Sequence, residues 1–312
     1  MNELPTHRPA MATVFLTGAT GYIGGTLAAR LVSAGTRVRG LVRSRQNAAL
    51  LAARGIEPVL GELGDAELLS REARAADGVI NTASADHAPA VRALIAGLQG
   101  SGKPLLHTSG SSVIGDDARG GYRSEQVFDA STPLIINPAK QARRDIDLQV
   151  LSAAGLGVRS AVICPGLIYG LGQGLNPHSV QLPTLVANAR AQGRVQIVGA
   201  GLNVWSHVHL DDVIDLFVLA LAQAPAGAFY FAESGEASFA EMGAAIAQRL
   251  GLPGVESLPP ERAAQRWGEG KAYFSLGSNS RVRATRARIE LGWSPRRASV
   301  LDWIAGEMAA DA

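Results

Sequence analysis

The sequence predicts an α/β fold: a doubly wound parallel sheet that carries a small C-terminal lobe. Three observations predict it. Short β-branched runs alternate with longer helical segments from Ala12 to about Ser160. A glycine-dense turn, "TGATGYIGG" (17–25), stands between the first run and the first helical segment. After Pro165 the alternation stops, and the remaining pieces are too few to build a large sheet of their own. Strand–helix alternation implies right-handed crossovers, which set the strands parallel and put helices on both faces.

Taken in order, "TVFLTG" (13–18), "TRVRGLV" (36–42), "IEPVL" (56–60), "DGVINTA" (77–83) and "KPLLHTS" (103–109) read as strands. Their apolar β-branched content, bounded by Gly, Pro and Asp, suits strands buried on both faces. The intervening segments, such as "YIGGTLAARLVSAG" and "HAPAVRALIAGLQGSG", have helical composition. A helix opening near Pro138 leads to a sixth strand, "GVRSAVICPG" (157–166). "GLIYGLGQGLNPHS" (166–179) reads as a loop or several turns because Gly and Pro punctuate it. Helical patterning returns at 210–223, with Asp211 and Asp212 at the N-terminal end, and again at 238–250 and 284–291. The expected organisation is a disordered segment 1–11, a nucleotide-binding domain 12–165 with its sheet completed by parts of 195–232, and a mainly substrate-binding lobe 166–312.

Composition narrows the function classes. A net charge of +2 on 312 residues argues against nucleic acid or an acidic membrane surface as partner. The single cysteine, Cys164, excludes an intramolecular disulfide and fits a reducing compartment. The polar N-terminus lacks the apolar core of a signal peptide, and the apolar run 213–221 is interrupted by Asp215 and too short for a bilayer. A cytoplasmic protein with a small-molecule substrate is expected, and homodimerisation stays open.

The glycine turn carries the first functional signal. Gly18, Gly21 and Gly24 have the spacing that a dinucleotide's pyrophosphate needs: a tight turn, a side without Cβ atoms, and a small residue for helix–strand packing. The phosphates then meet the free N–H groups and positive end of the first helix, so Thr20, Tyr22 and Ile23 join the expected site. Specificity is read at the end of the second strand, where an acid would hold a ribose 2′-hydroxyl. Arg43 and Ser44 stand there instead, and no acid appears before Glu57. An arginine at that point suits a 2′-phosphate, which favours NADP(H) and leaves NAD(H) as the other possibility.

The chain resembles the extended or atypical short-chain dehydrogenase/reductase superfamily, the NAD-dependent epimerase/dehydratase group. The resemblance rests on "TGATGYIG", "GELGD" (61–65), "NTAS" (81–84), "HTSGSSVIG" (107–115), "CPGLIYG" (164–170), "WSHVHLDDV" (205–213) and "RIELGWSP" (288–295), and it runs over nearly the whole chain. It implies a Rossmann-type fold with Leu63 near adenine, with Thr82, Ala83 and Ser84 lining the cofactor trough, and with Pro165, Gly166, Leu167 and Ile168 on the nicotinamide side. Redox members of the family use a Ser and a Tyr-x-x-x-Lys pair, in which Tyr moves the hydroxyl proton and Lys holds the nicotinamide ribose. Here the lysine is read as Lys140, which places Ile136 where Tyr should stand and Gly110 where Ser should stand, flanked by Ser109 and Ser111. Tyr122 is the candidate replacement acid, and Lys140 with Arg144 forms a basic i, i+4 pair that could act as an anion or proton site.

Other residues read as structural. His107 ends the fifth strand, Cys164 has no evident base, and no metal is expected at His207 and His209 because nothing completes a ligand set. Few charges lie near "GLIYGLGQGL", which leans against a sugar-nucleotide substrate, although Arg281 and Arg283 would suit one. The leading function is an NADP(H)-dependent oxidoreductase or epimerase-like enzyme acting on a carbonyl or secondary alcohol. The alternative is a catalytically reduced NADP(H)-binding sensor or regulatory protein.

Overall fold

The computed structural model describes residues 12–309, so the segment 1–11 expected to be disordered lies outside the described residues. The first half alternates as the sequence pattern requires: β1 (Thr13–Thr17), α1 (Tyr22–Ser33), β2 (Arg37–Val42), α2 (Arg45–Ala52), β3 (Glu57–Leu60), α3 (Ala66–Ala75), β4 (Gly78–Asn81), α4 (Ala88–Leu98) and β5 (Pro104–Thr108). α5 (Gln141–Ser152) and β6 (Arg159–Pro165) follow. Then come β7 (Leu167–Tyr169), α6 (Gln181–Gln192), β8 (Val195–Val198), β9 (Val204–His209), α7 (Leu210–Gln223) and β10 (Ala228–Ala232). β11 (Gly235–Ser238), α8 (Phe239–Arg249), β12 (Val255–Leu258) and short helices to residue 306 complete the chain.

Seven strands form one parallel sheet in the order β10-β6-β5-β4-β1-β2-β3. The alternation of side chains along β1 decides its two cores. Val14 and Leu16 pack with Leu27 of α1, Leu51 of α2 and Phe217 of α7, whereas Phe15 packs with Leu69 of α3, Leu94 of α4 and Val150 of α5. Both faces are thereby covered, which a parallel sheet demands. The chain runs outward from β1 to β2 and β3, then crosses to β4 on the other side. That reversal opens a crevice at the strand C-termini beside β1 and β4.

The later segments interleave two bodies. β7, β9 and β11 make a three-stranded sheet and β8 pairs with β12, around a core that includes Leu185, Trp205, Phe239 and Ile304. α7 and β10 instead return to the large sheet, with β10 beside β6 in register Phe231↔Cys164. Of the stretch 195–232, therefore, residues 228–232 join the large sheet, while 195–198 and 204–209 build the lobe. The stretch read as loop at 166–179 begins with β7, because Leu167, Ile168 and Tyr169 pair in parallel with β9. Among the described residues no helix is long and apolar enough to cross a membrane.

Candidate active site

The glycine turn divides three tasks among three residues. Gly18 takes a left-handed φ of +80°, which lets the chain reverse, and its carbonyl accepts from the Gly21 amide at 2.8 Å. Gly24 sits against β1 and β4, where a Cβ would run into the Gly18 carbonyl and the Thr82 hydroxyl. Gly21 is different: a Cβ there would meet only the Gly18 carbonyl, at 3.1 Å. It caps α1 without a side-chain hydrogen bond, and no acid stands in the first turn. Uncapped amides, an open side and no opposing charge are what an anionic pyrophosphate fits.

A segment that pattern reading left as plain loop closes over this turn. The Asn176 amide donates to the Thr20 carbonyl at 3.1 Å, and the Gln173 amide donates to Thr26 Oγ1 at 2.9 Å. The Tyr22 hydroxyl donates to the Gly170 carbonyl at 2.7 Å, and a Cβ on Gly25 would collide with Gly174. Burial raises the Tyr22 phenol far above its ordinary range, with the Asp211 charge adding to the effect.

Across the crevice stand the C-terminal ends of β4, β5 and β6. One cleft of about 410 Å³ is lined by Tyr22, Ile23, Thr82, Ser109, Ser111, Pro165, Gly166 and Ile168. Gly110, Ser112, Arg143, Asn176, His178 and Trp205 also line it. Thr82 is fixed by its hydroxyl, which donates to the Thr17 carbonyl at 2.8 Å. Ser109 Oγ donates to Asp147 Oδ2 at 2.9 Å, and Ser280 Oγ donates to Ser111 Oγ at 2.7 Å. Arg143 reaches from α5 to hold Asp86 with both ends of its guanidinium, at 2.7 and 2.5 Å, and donates to Ser112 Oγ at 3.1 Å. That hydrogen bonding keeps the Asp86 carboxyl below its usual range. Beneath the cleft His107 is fully buried, its Nδ1 is 3.0 Å from Asn81 Nδ2, and burial pulls it down to about 4.

Several expected residues stand elsewhere. Residues 138–140 form a 3₁₀ turn and α5 starts only at Gln141, so the helical register begins later than the proline suggests. Lys140 is therefore off the cleft wall, with its ammonium 5.0 Å from the centre of the Phe274 ring. Burial, then the Arg143 charge, lower its pKa. Arg143 is the basic residue of α5 that lines the cleft, and the residue four before it is Ala139, which also lacks a hydroxyl. Tyr122 is 48% exposed and, with Ile136, lines a second cavity of about 410 Å³ that does not include the serine loop residues 109–112. The structure thus brings Ser109 and Ser111 together with Arg143, and leaves Tyr122 and Lys140 out. Leu167 is also displaced: it alternates away from Gly166 and Ile168 into the lobe core and is fully buried.

At the adenine end the positions are peripheral. Ser44 caps α2 by accepting from the Asn47 amide at 3.2 Å. Arg43 is exposed, and among the described residues no hydrogen bond or ion pair engages it. Glu57 is held by Arg37 and Arg39, at 2.5 and 3.2 Å. Leu63 packs half-buried on the α3–α4 core, Ala83 is exposed, and Ser84 Oγ accepts from the Asp86 amide at 3.1 Å. Arg281 and Arg283 do not enter the cleft, because both point at Glu236, at 2.7 and 3.4 Å. His207 and His209 flank the Tyr169 ring, and among the described residues no third ligating side chain joins them.

A parallel sheet with a glycine turn at its switch point and a polar cleft at its strand ends defines a dinucleotide-binding α/β protein. The chain belongs to the NAD dependent epimerase/dehydratase family, whose pattern matches residues 14–230. It is 34% identical to the oxidase ucsJ of Acremonium sp, over 90% of this chain and 92% of that protein. It is 31% identical to protein C2A9.02 of Schizosaccharomyces pombe, over 94% and 98%. Among solved structures it is similar to DesIV, a dTDP-glucose 4,6-dehydratase of Streptomyces venezuelae with NAD and TYD bound. The TM-score is 0.75 at 22% identity, covering 94% of each chain. At that identity the likeness shows the fold alone.

Proposed function

We propose that the chain is an NADP(H)-dependent oxidoreductase acting on a carbonyl or secondary alcohol of a small molecule. One observation carries the reading: the first turn of α1, which follows the glycine turn, lines a single cleft with a hydroxyl-rich loop and the half-buried cation Arg143. The dinucleotide, when bound, supplies or accepts the hydride. Gly18, Gly21 and the first turn of α1 would hold its pyrophosphate, and Gly21 leaves the room. Arg43, exposed and among the described residues unpaired, would meet a 2′-phosphate at the end of β2; Glu57, the acid on the neighbouring strand, is engaged by Arg37 and Arg39. Arg143, which lines the cleft and is braced by Asp86, would hold a ribose hydroxyl, and Ser109 and Ser111 would offer hydroxyls to a substrate oxygen. The relative named an oxidase is consistent with redox chemistry.

A cofactor-binding protein without turnover is the second reading, favoured by one observation. Tyr22 is the single phenol lining the cleft among the described residues, and its hydroxyl is committed to the Gly170 carbonyl. The two readings separate in one experiment. NADPH is titrated calorimetrically, and its oxidation is then followed by absorbance with aldehydes, ketones and enones. Binding with turnover supports the enzyme, binding without turnover supports the second reading, and absence of binding refutes both.

A further inference from the structure

A reducing cleft needs a proton as well as a hydride, and its one phenol is already bound to a backbone carbonyl. Ser109 lines the cleft at the end of β5, and behind it stands Asp147. Asp147 lies one helical turn beyond Arg143 on α5 and is fully buried. Its Oδ2 accepts from Ser109 at 2.9 Å, and among the described residues its Oδ1 has no hydrogen-bond partner. Among the described residues, the Ser109 hydroxyl is the hydrogen-bonding group that joins this buried carboxyl to the cleft.

We infer that Ser109 and Asp147 form a proton relay, in which the Ser109 hydroxyl meets the substrate oxygen and Asp147 acts through it as the proton reservoir. The inference rests on the oxidoreductase reading above. In the reducing direction Ser109 passes its hydroxyl proton to the carbonyl oxygen, and protonated Asp147 returns a proton to Ser109 Oγ. The carbonyl carbon takes its hydride from the dinucleotide, which is the reductant. One C–H and one O–H bond form on the substrate, Asp147 is left as carboxylate, and water in the emptied cleft reprotonates it through Ser109. In the oxidising direction the protons run the other way and Asp147 receives them.

The surroundings suit a reservoir. The groups facing Asp147 are Arg143 and Arg144 on its own helix, Asp86 from the loop after β4, Ser109 after β5, and Cys164 on β6. Burial pushes the Asp147 carboxyl up to about 6, against the lowering pull of the Ser109 hydrogen bond and then of the two arginines. A group near that value holds useful amounts of both protonation states near neutrality. Asp147 is a positioning residue in this scheme, because it acts only through Ser109.

Two readouts test the relay, one of them independent of turnover. In the full chain labelled with carbon-13 at aspartate carboxyls, the Asp147 signal is assigned by its loss in Asp147→Asn. Its midpoint is expected near 6, and higher still in Ser109→Ala, which removes the one hydrogen bond to the carboxylate. A midpoint near the ordinary 3.8, or one that Ser109→Ala does not move, overturns the relay. With a substrate found by screening, reduction by the parent should fall as pH rises through about 6. Asp147→Asn should be slower by roughly 10²-fold and lose that dependence, and Asp147→Glu should keep the dependence. Turnover that Asp147→Asn leaves unchanged in rate and pH profile overturns the relay alone. NADPH binding without turnover of any carbonyl overturns the oxidoreductase reading, and the relay falls with it.

Discussion

Two neighbouring glycines should fail in opposite ways when each gains a methyl group. Gly24 has no room: an added Cβ runs into the Gly18 carbonyl of the turn and the Thr82 hydroxyl just after β4. Overpacking of this kind costs about 1–3 kcal/mol. Gly21 is less crowded: a Cβ there meets only the Gly18 carbonyl, at 3.1 Å, a close contact that a shift of a few tenths of an ångström relieves, and its φ of −82° suits any residue. Losing a glycine at such a site stabilises by about 0.4–1 kcal/mol through the unfolded chain, while alanine is a clearly poorer N-cap than glycine, at a cost of about the same size. The two terms nearly cancel. Gly21→Ala should therefore leave the melting temperature of the free protein unchanged, yet place a methyl group where the pyrophosphate must approach. NADPH affinity should drop at least about tenfold, ~1.4 kcal/mol. Thermal unfolding of the free protein and calorimetric titration of NADPH read the two effects separately. Undiminished binding by Gly21→Ala would refute the assignment of the turn to phosphate, and a fully stable Gly24→Ala would refute the packing account.

Three more outcomes are expected. Arg43→Ala should erase an NADPH-over-NADH preference of at least about tenfold, the scale of one or two charge-assisted bonds; equal affinities in the parent would remove the basis for that preference. Arg143→Met should weaken NADPH binding about tenfold, whereas Lys140→Met, off the cleft wall, should change it by less than about twofold, as surface substitutions do; the reverse ranking would restore Lys140 to the site. Stability should depend on pH through Asp147 with a definite sign. Its folded pKa of about 6 lies above the ordinary 3.8, so its contribution is fully present below about pH 4 and is lost as pH rises to about 6. At about 1.36 kcal/mol per pKa unit this is ~3 kcal/mol. His107 and His207, each pulled down to about 4 by burial, act oppositely in the same window: their contribution is lost as pH falls. The Asp147 contribution is thus read as the difference between parent and Asp147→Asn in denaturant unfolding, and a difference that is flat with pH would contradict the buried carboxyl.

The sheet was legible because its strands are short apolar runs bounded by Gly, Pro and Asp, and burial on both faces leaves such runs little alternative. β1–β6 all fall within a few residues of the expected ranges. The glycine turn was legible for the same reason: each glycine answers a specific steric demand. Three features escaped. In "NPAKQARRDID" the pattern offers three basic residues, Lys140, Arg143 and Arg144, and only the three-dimensional register, with a 3₁₀ turn before α5, shows that Arg143 and not Lys140 reaches the cleft. Tyr122 was drawn in by proximity in sequence to the serine loop, but the chain carries it to the wall of another cavity. The cover formed by 170–177 depends on backbone contacts between distant glycines, which composition does not reveal; the one hint was that Gly170, Gly172 and Gly174 repeat small residues at alternate positions.

The most direct test of the central claim is a crystal structure of the chain with NADPH bound. The account predicts the pyrophosphate on Gly18–Gly24, the 2′-phosphate at Arg43, and the nicotinamide against Pro165 and Gly166 with Arg143 on its ribose. Density for the dinucleotide outside this cleft, or a pyrophosphate held away from the glycine turn, would contradict it.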